Sequence, residues 1–263
     1  MFSTSRSRDL GARCLRTREE AGLSAADMIQ KLRVSAAQLA AFEAGACHFP
    51  DVCLVPYLTH CGLRSADIGP YLDLAHFPDT GYHIAPFTGR FPDELVALSV
   101  HESTCASAIE YAPYRIPALL QTASYARILF EAGGLDAELT DECIRHRESR
   151  HKYVRQDDEF LIGERVLRLI GDPAVRAEQL ERLANARETI RIVPDAHLVR
   201  VDAPNGFRLL SYLDHGPVAI EELLVALVFV DAPVAIDRYL AAVERLDRLA
   251  LSAEESRALI AEL

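Results

Sequence analysis

The stretch Leu10-Gly-Ala-Arg13-Cys14-Leu-Arg16-Thr-Arg18-Glu-Glu-Ala-Gly22-Leu-Ser24-Ala-Ala-Asp27-Met-Ile-Gln-Lys31-Leu32-Arg33-Val-Ser35-Ala36-Ala37-Gln38-Leu-Ala-Ala-Phe42-Glu-Ala-Gly45, with Pro50 shortly after, holds three short helical patterns, each opened by a start signal. Leu10, Cys14, Leu15 and Arg18 recur at helical intervals, and Ala21-Gly22 supplies a glycine stop. Ser24 stands as N-cap with Asp27 three residues on, a capping-box spacing. Met28, Ile29 and Leu32 give the second helix one apolar face, and Val34 fills the turn. Ser35 caps a third helix that turns Leu39 and Phe42 inward and stops at Gly45. Two helices of about eight residues joined by a turn of three or four are the dimensions of a helix-turn-helix.

In that motif the second of the paired helices enters the major groove of duplex DNA and its early residues meet base edges. Ser35, Ala36, Ala37 and Gln38 occupy those early positions, and Gln38 is the one side chain there built for bidentate contact with adenine. Arg13, Arg16, Arg18, Lys31 and Arg33 are the cations available for the phosphates. Affinity for duplex DNA is largely phosphate neutralisation. Residues 1–63 carry seven Lys/Arg against six Asp/Glu, a net +1, while the remaining 21 bases and 33 acids give −12. A single module so weakly basic needs a second copy, so a homodimer is expected. The opposing reading is a helical bundle that has lost DNA binding and serves only as a contact surface.

Leu23-Ser24, Leu32, Val34-Ser35, Glu43, Gly45 and Pro50 resemble the lambda-repressor-like (XRE) family. Two positions depart from its pattern. Ala25 stands where a phosphate-contacting Gln is usual, and Arg33 replaces the turn glycine, where positive φ costs a side chain about 1 kcal/mol or more. A second resemblance lies further on. Arg115-Ile-Pro-Ala-Leu-Leu-Gln-Thr-Ala-Ser-Tyr-Ala-Arg127 is similar to the Val-Pro-Gly-Leu-Leu-Gln-Thr-x-x-Tyr-Ala-Arg signature of an actinomycete family of antitoxin-like transcriptional regulators, which join an XRE motif to a C-terminal domain of unknown function. Arg147 to His151, Phe160 to Gly171, Gln179 to Leu183, Thr189 to Pro194, Phe207 to Leu213 and Leu246 to Ser256 continue the resemblance. It implies a DNA-binding regulator whose C-terminal domain dimerises and receives a signal or a small protein partner encoded nearby. The alternative it leaves open is an interaction protein with a degenerate motif that sequesters that partner.

These patterns divide the chain into an all-α helix-turn-helix bundle at 1–75, a connector at 76–94 and an α+β domain at 95–263. The connector follows a helical piece from Ala66 to Ala75 and is dense in breakers: Pro78, Gly81, Pro86, Gly89, Pro92. Its aromatics, Phe77, Tyr82, Phe87 and Phe91, predict that it is pinned to a surface. In the larger domain helices are expected over Leu95–Ala112 and on to Tyr153, then at Ala174–Ala186 and Val234–Leu249. Strands are expected at Phe160–Gly163, Ile190–Pro194, Phe207–Leu213, Val218–Glu221 and Leu227–Val230. Helices on one side of a small sheet are the expected layering.

Other chemistry is less marked. Cys47, His48, Cys53, His60 and Cys61 lie close together, but their spacing matches no strong zinc template, and Cys53 and Cys61 fall in an apolar helix over Asp51–Cys61 where thiols act as small hydrophobes. His101, Glu102 and Glu110 are candidates for a paired site, though solvated or satisfied polar groups are the commoner outcome. The basic run Arg145, Arg147, Arg150, Lys152 and Arg155 could grip an anion, but Glu142 and Glu148 on the same helix favour a salt-bridged surface. No phosphate loop, nucleophile elbow or HExxH motif is present, so neither an enzyme nor a cofactor is expected. No apolar run spans a membrane and no signal-peptide pattern opens the chain, which predicts a cytoplasmic protein.

Overall fold

The computed structural model describes residues 3–77, 79–87 and 95–263. Five helices form the N-terminal bundle: α1 (Ser5–Glu20), α2 (Ala25–Leu32), α3 (Ala36–Glu43), α4 (Asp51–His60) and α5 (Ser65–His76). The local start signals act as the sequence predicts. Ser24 accepts from Asp27 N while the Asp27 carboxylate accepts from Ser24 N, and Ser35 and Gln38 repeat the exchange. Gly22 and Gly45 take positive φ at the helix ends, and Arg33 takes φ 56° at the end of α2, so the turn glycine's conformation is kept without the glycine. The bundle core is Leu10, Cys14, Met28, Leu39, Phe42, Phe49, Leu54, Tyr57, Leu58 and Ile68. Phe42 stacks on Phe49 at 4.2 Å between centroids and meets the edge of Tyr57 at 5.8 Å. Cys53 and Cys61 pack against this core.

Helix α1 begins five residues before the periodic pattern does, at a capping box of Thr4 and Ser7. It is buried on more than one side. Leu10 and Cys14 face the bundle, whereas Ser5, Arg8, Asp9 and Ala12 are buried as well. Gly11 is where α1 meets the end of α3: a Cβ there would lie 2.5 Å from the Phe42 carbonyl oxygen.

The connector is not an irregular segment throughout. Tyr82–Pro86 forms β1, an edge strand paired antiparallel with β7 (Ala226–Val230), and its His83 and Ala85 turn inward. Pro86 is tolerated because it closes an edge strand, where a missing N–H breaks little of the ladder. Pro78, Gly89, Phe91 and Pro92, read from the sequence as parts of the connector, lie outside the described residues.

A seven-stranded mixed sheet carries the C-terminal domain, in the order β1-β7-β6-β5-β2-β3-β4. The remaining strands are β2 (Ser107–Ala112), β3 (Glu159–Gly163), β4 (Thr189–Val193), β5 (Phe207–Ser211) and β6 (Val218–Glu222). β2, β3 and β4 run parallel to one another, and the other pairs are antiparallel. The helix expected over Leu95–Ala112 stops at Thr104, as α6 (Val96–Thr104), and its last six residues are β2, an inner strand of the sheet between β5 and β3. Five apolar or small residues with one acid read equally well at either period; pairing with β5 and β3 decides for the strand.

Helices cover both faces, not one. α6, α7 (Ala123–Ala132), α8 (Ala137–Arg150), α10 (Pro173–Ala184) and α13 (Ala253–Ala261) belong to the face that holds Phe160, Ile162 and Ile192. Short helices α9 (Glu164–Arg168) and α11 (Asp195–Leu198) follow β3 and β4. α12 (Pro233–Leu249) covers the opposite face, setting Ile236, Ala242 and Leu246 against Tyr111, Leu161, Leu209 and Ala219. The two sets alternate along the strands, so the strands other than the edge strand β1 are buried on both sides, as in a three-layer α+β arrangement.

Candidate functional site

Polar chemistry gathers on the outer face of the bundle, at the junction of α1 with α6 and β1, and around Glu102 on α6. On the bundle, α2 and α3 are joined by the three residues Arg33, Val34 and Ser35. Ser35, Ala36, Ala37, Gln38 and Ala40 are exposed, and Lys31 and Arg33 are exposed beside them. Gln38 has a local commitment. Its Oε1 accepts from Ser35 N at 2.9 Å, so bidentate contact with a base requires the capping box to open on that side.

The basic residues separate into two groups. Arg18 lies inside the bundle, its Nε and Nη2 on the two oxygens of Glu43 at 2.7 and 3.0 Å and its Nη1 on the Leu23 carbonyl. Tyr57 Oη donates to the same Glu43 carboxylate at 2.8 Å. The sequence offers Arg18 as a phosphate contact; its place is that of a staple joining α1, α3 and α4, because a buried carboxylate at the end of α3 needs a partner more than solvent does. Arg13 and Arg16 are half-buried and paired with Asp9 and Glu20, each at 2.7 Å. Lys31 and Arg33 remain on the outside.

Beneath the bundle, α1 is docked on α6 and β1. Asp9 takes hydrogen bonds from His83 Nε2 at 2.8 Å and Arg13 Nε at 2.7 Å. Burial pushes the Asp9 carboxyl upward, but the His83 hydrogen bond and the Arg13 charge outweigh it and hold it below the usual range. Ser5 donates from N and Oγ to Asp231 at 2.7 and 3.0 Å. Arg8 lies over the Tyr212 ring, 5.3 Å from its centroid, with His215 Nε2 3.3 Å from Nη1. His101 stacks on Phe229 at 4.8 Å and shares a 2.8 Å hydrogen bond with Tyr212 Oη. Burial and the nearby Arg8 charge push the His101 imidazole well below its usual value, so it is neutral.

Glu102, next along α6, faces a different set. Its oxygens take Arg150 Nε at 2.7 Å and Nη2 at 2.5 Å, and Arg208 Nη1 joins them. Burial raises the Glu102 carboxyl, and Arg150 and Arg208 bring it back below its ordinary value. Glu110 Oε2 lies 3.5 Å from Arg208 Nε. Burial pushes Glu110 up, against the pull of Arg208. Glu102 and Glu110 thus share a site, though across Arg208 rather than with each other, and His101 belongs to the junction instead. The surface expected at Arg145–Arg155 is a correction: Arg145 is exposed, but Arg150 is buried on Glu102 and Arg147 turns in to Gln121 and the Phe130 ring. Sequence reasoning missed Arg208. Its signal is an arginine inside the apolar run Phe207–Leu210, where a charge is affordable only with a buried partner.

Residues 95–262 match the family model described as a domain of unknown function (DUF5753). The chain belongs to that family. The match begins with α6, so the family covers the sheet from β2 onward, the Glu102 cluster and α12, while the bundle and β1 precede it. Comparison with curated proteins and with solved structures gives no match. Among the described residues no helix is long and apolar enough to cross a membrane.

Proposed function

We propose that this chain is a sequence-specific DNA-binding regulator of the lambda-repressor-like, antitoxin-like kind, with α3 as its reading helix and the DUF5753 domain as its assembly and signal-receiving part. The observation that carries the reading is the pair α2 and α3, each closed by a capping box, with the first turn of α3 fully outward. Ser35, Ala36, Ala37 and Gln38 meet the base edges in this account. Lys31 and Arg33 lie beside the phosphates, and Arg13 and Arg16 reach them by sharing their acids. Arg18 has no such part. A module near net neutrality gains its affinity from a second copy: two modules on one duplex raise effective affinity by about 10²–10⁴-fold where geometry permits. The operator is then an inverted repeat with half-sites about one helical turn apart. No enzyme activity is proposed.

The test is a mobility shift of the full chain on the DNA upstream of its own coding sequence, against a scrambled duplex of equal length. Selective retention of the first supports the reading; equal retention or none removes it.

A second reading has its own support. The exposed face of α3 is mostly alanine, and Gln38 is folded back on its cap. Such a face suits a small protein partner packed on α3, in which case the chain acts by sequestration. A shift of neither duplex, with co-elution of the product of a neighbouring gene, favours that alternative.

A further inference from the structure

A cavity of about 340 Å³ opens on the α6–α8 face of the sheet, and the Tyr114–Pro117 loop and the turn after β6 form its mouth. Its volume lies within the range of small-molecule sites. Four guanidiniums line it, those of Arg115, Arg147, Arg150 and Arg208. The carboxylates present do not balance them. Glu102 is fully used by Arg150 and Arg208. Glu222 is exposed and sits 3.4 Å from Arg115. Glu110 is pushed toward its neutral form by burial. Arg147 is left with neutral partners, the Gln121 amide oxygen and the face of Phe130.

Arg208 is the most telling of the four. It is 7% exposed, yet its Nε and Nη2 have no hydrogen-bond partner among the described residues. Glu110, at 3.5 Å from Nε, is beyond hydrogen-bond length. Buried donors of a charged group are costly to leave unmet and are ordinarily satisfied. The lining also includes the apolar side chains of Leu98, Ile116, Ile220 and Leu227. At the mouth stands Leu224, 96% exposed.

We propose that this cavity binds a small amphipathic anion, its carboxylate or phosphate monoester head held by Arg208 and Arg147 and its apolar body laid on Leu98 and Ile220. Head and body are each required: a bare anion leaves the apolar lining wet, and a neutral amphiphile brings no charge to the unmet Nε and Nη2 of Arg208. The site is independent of the bundle's outer face, so duplex binding can fail while this proposal stands.

Titration calorimetry of the full chain without DNA tests it, with sodium octanoate, octyl phosphate, octanamide and inorganic phosphate as the probes. One or both of the first two bind at a single site, about tenfold or more tighter than octanamide and than inorganic phosphate. The tighter of the two identifies the head. Arg147→Gln weakens the binding by about tenfold or more, and Leu224→Asp, at an exposed position outside the folded core, weakens both anions while the melting temperature stays at that of the parent. If Arg147→Gln fails to fold, Leu224→Asp decides alone. Octanamide binding as tightly as octanoate, inorganic phosphate matching octyl phosphate, variants that bind as the parent does, or no heat from any probe would each overturn the proposal.

Discussion

The bundle and the sheet domain handle buried charge in opposite ways. In the bundle, Arg18 and Glu43 form one closed pair, tied further by Tyr57 and the Leu23 carbonyl. In the sheet domain, Glu102 serves two arginines and Arg208 still has donors to spare. A closed pair has only to stabilise helix packing. An over-supplied one is set up to take something more. The difference teaches that buried ion pairs are no uniform class: Arg18 and Glu43 are closed on each other, whereas Arg208 keeps two donors unmet beside its carboxylate. Between the two regions lies α1, whose Asp9, Arg8 and Ser5 fasten the bundle to β1, to Tyr212 and His215 beyond β5, and to the residue after β7.

The strongest way to break the comparison is Glu102→Gln. It leaves Arg150 and Arg208 buried with no full carboxylate and should cost about 3–5 kcal/mol in urea denaturation followed by circular dichroism. A loss below about 1 kcal/mol would mean that solvent already screens the cluster. Next comes Gly11→Ala. The added Cβ meets backbone oxygen at 2.5 Å, so α1 and α3 must move apart, at about 1–3 kcal/mol. Unchanged stability would show that this approach is looser than the geometry says.

Acidification sharpens the account of the junction. His101 is held neutral, with its folded value below 6.5, so above pH 6.5 neither the folded nor the unfolded chain binds its proton. Below pH 6.5 the unfolded chain gains a proton that the folded chain refuses. This one group should therefore lower stability by about 1.4 kcal/mol per pH unit until its folded value is reached. The groups around it are Arg8 from α1, His83 from β1, and Tyr212 and His215 beyond β5. His215 is shifted in the same direction. Glu110 runs the other way: its raised value makes the folded chain lose stability as pH rises above the ordinary carboxylate range. Comparing the parent with His101→Phe, which keeps a ring on Phe229, isolates the term. Parallel pH profiles for the two proteins would assign the loss elsewhere. The smallest effect is local. Ser35→Ala removes the cap of α3 and should cost about 1 kcal/mol of stability; a change within error would place the start of α3 under other control.

What was legible in the sequence follows the range of the interaction. The capping box at Ser24, the cap at Ser35, the glycine stops and the inward Leu39 and Phe42 depend on neighbours three or four residues away, and they stand where the sequence puts them. Five strands are recognisable because their apolar runs are buried on both faces whatever their partners. β1 and β2 were not, since Tyr82–Pro86 pairs with Ala226–Val230, and Ser107–Ala112 with Phe207–Ser211 and Glu159–Gly163, all far along the chain. The same range hid the charged cluster. Glu102 and Arg150 could be noticed singly, but Arg208 joins Glu102 across 106 residues. The burial of Arg8 and Asp9 was likewise unreadable, because polar residues on a helix suggest water unless another domain is known to cover them.

The central claim, that the outer face of α3 reads duplex DNA, is tested most directly by fluorescence anisotropy of the full chain on its own upstream duplex, beside Gln38→Ala and the double variant Lys31→Ala/Arg33→Ala. Gln38→Ala should lose about 1–3 kcal/mol of specific binding and relax one operator position. The double variant should weaken all duplexes alike and flatten the salt dependence by about one unit for each phosphate no longer neutralised. If all three proteins bind the upstream duplex and a scrambled one equally, or none binds either at low salt, α3 is not a reading helix and the account is contradicted.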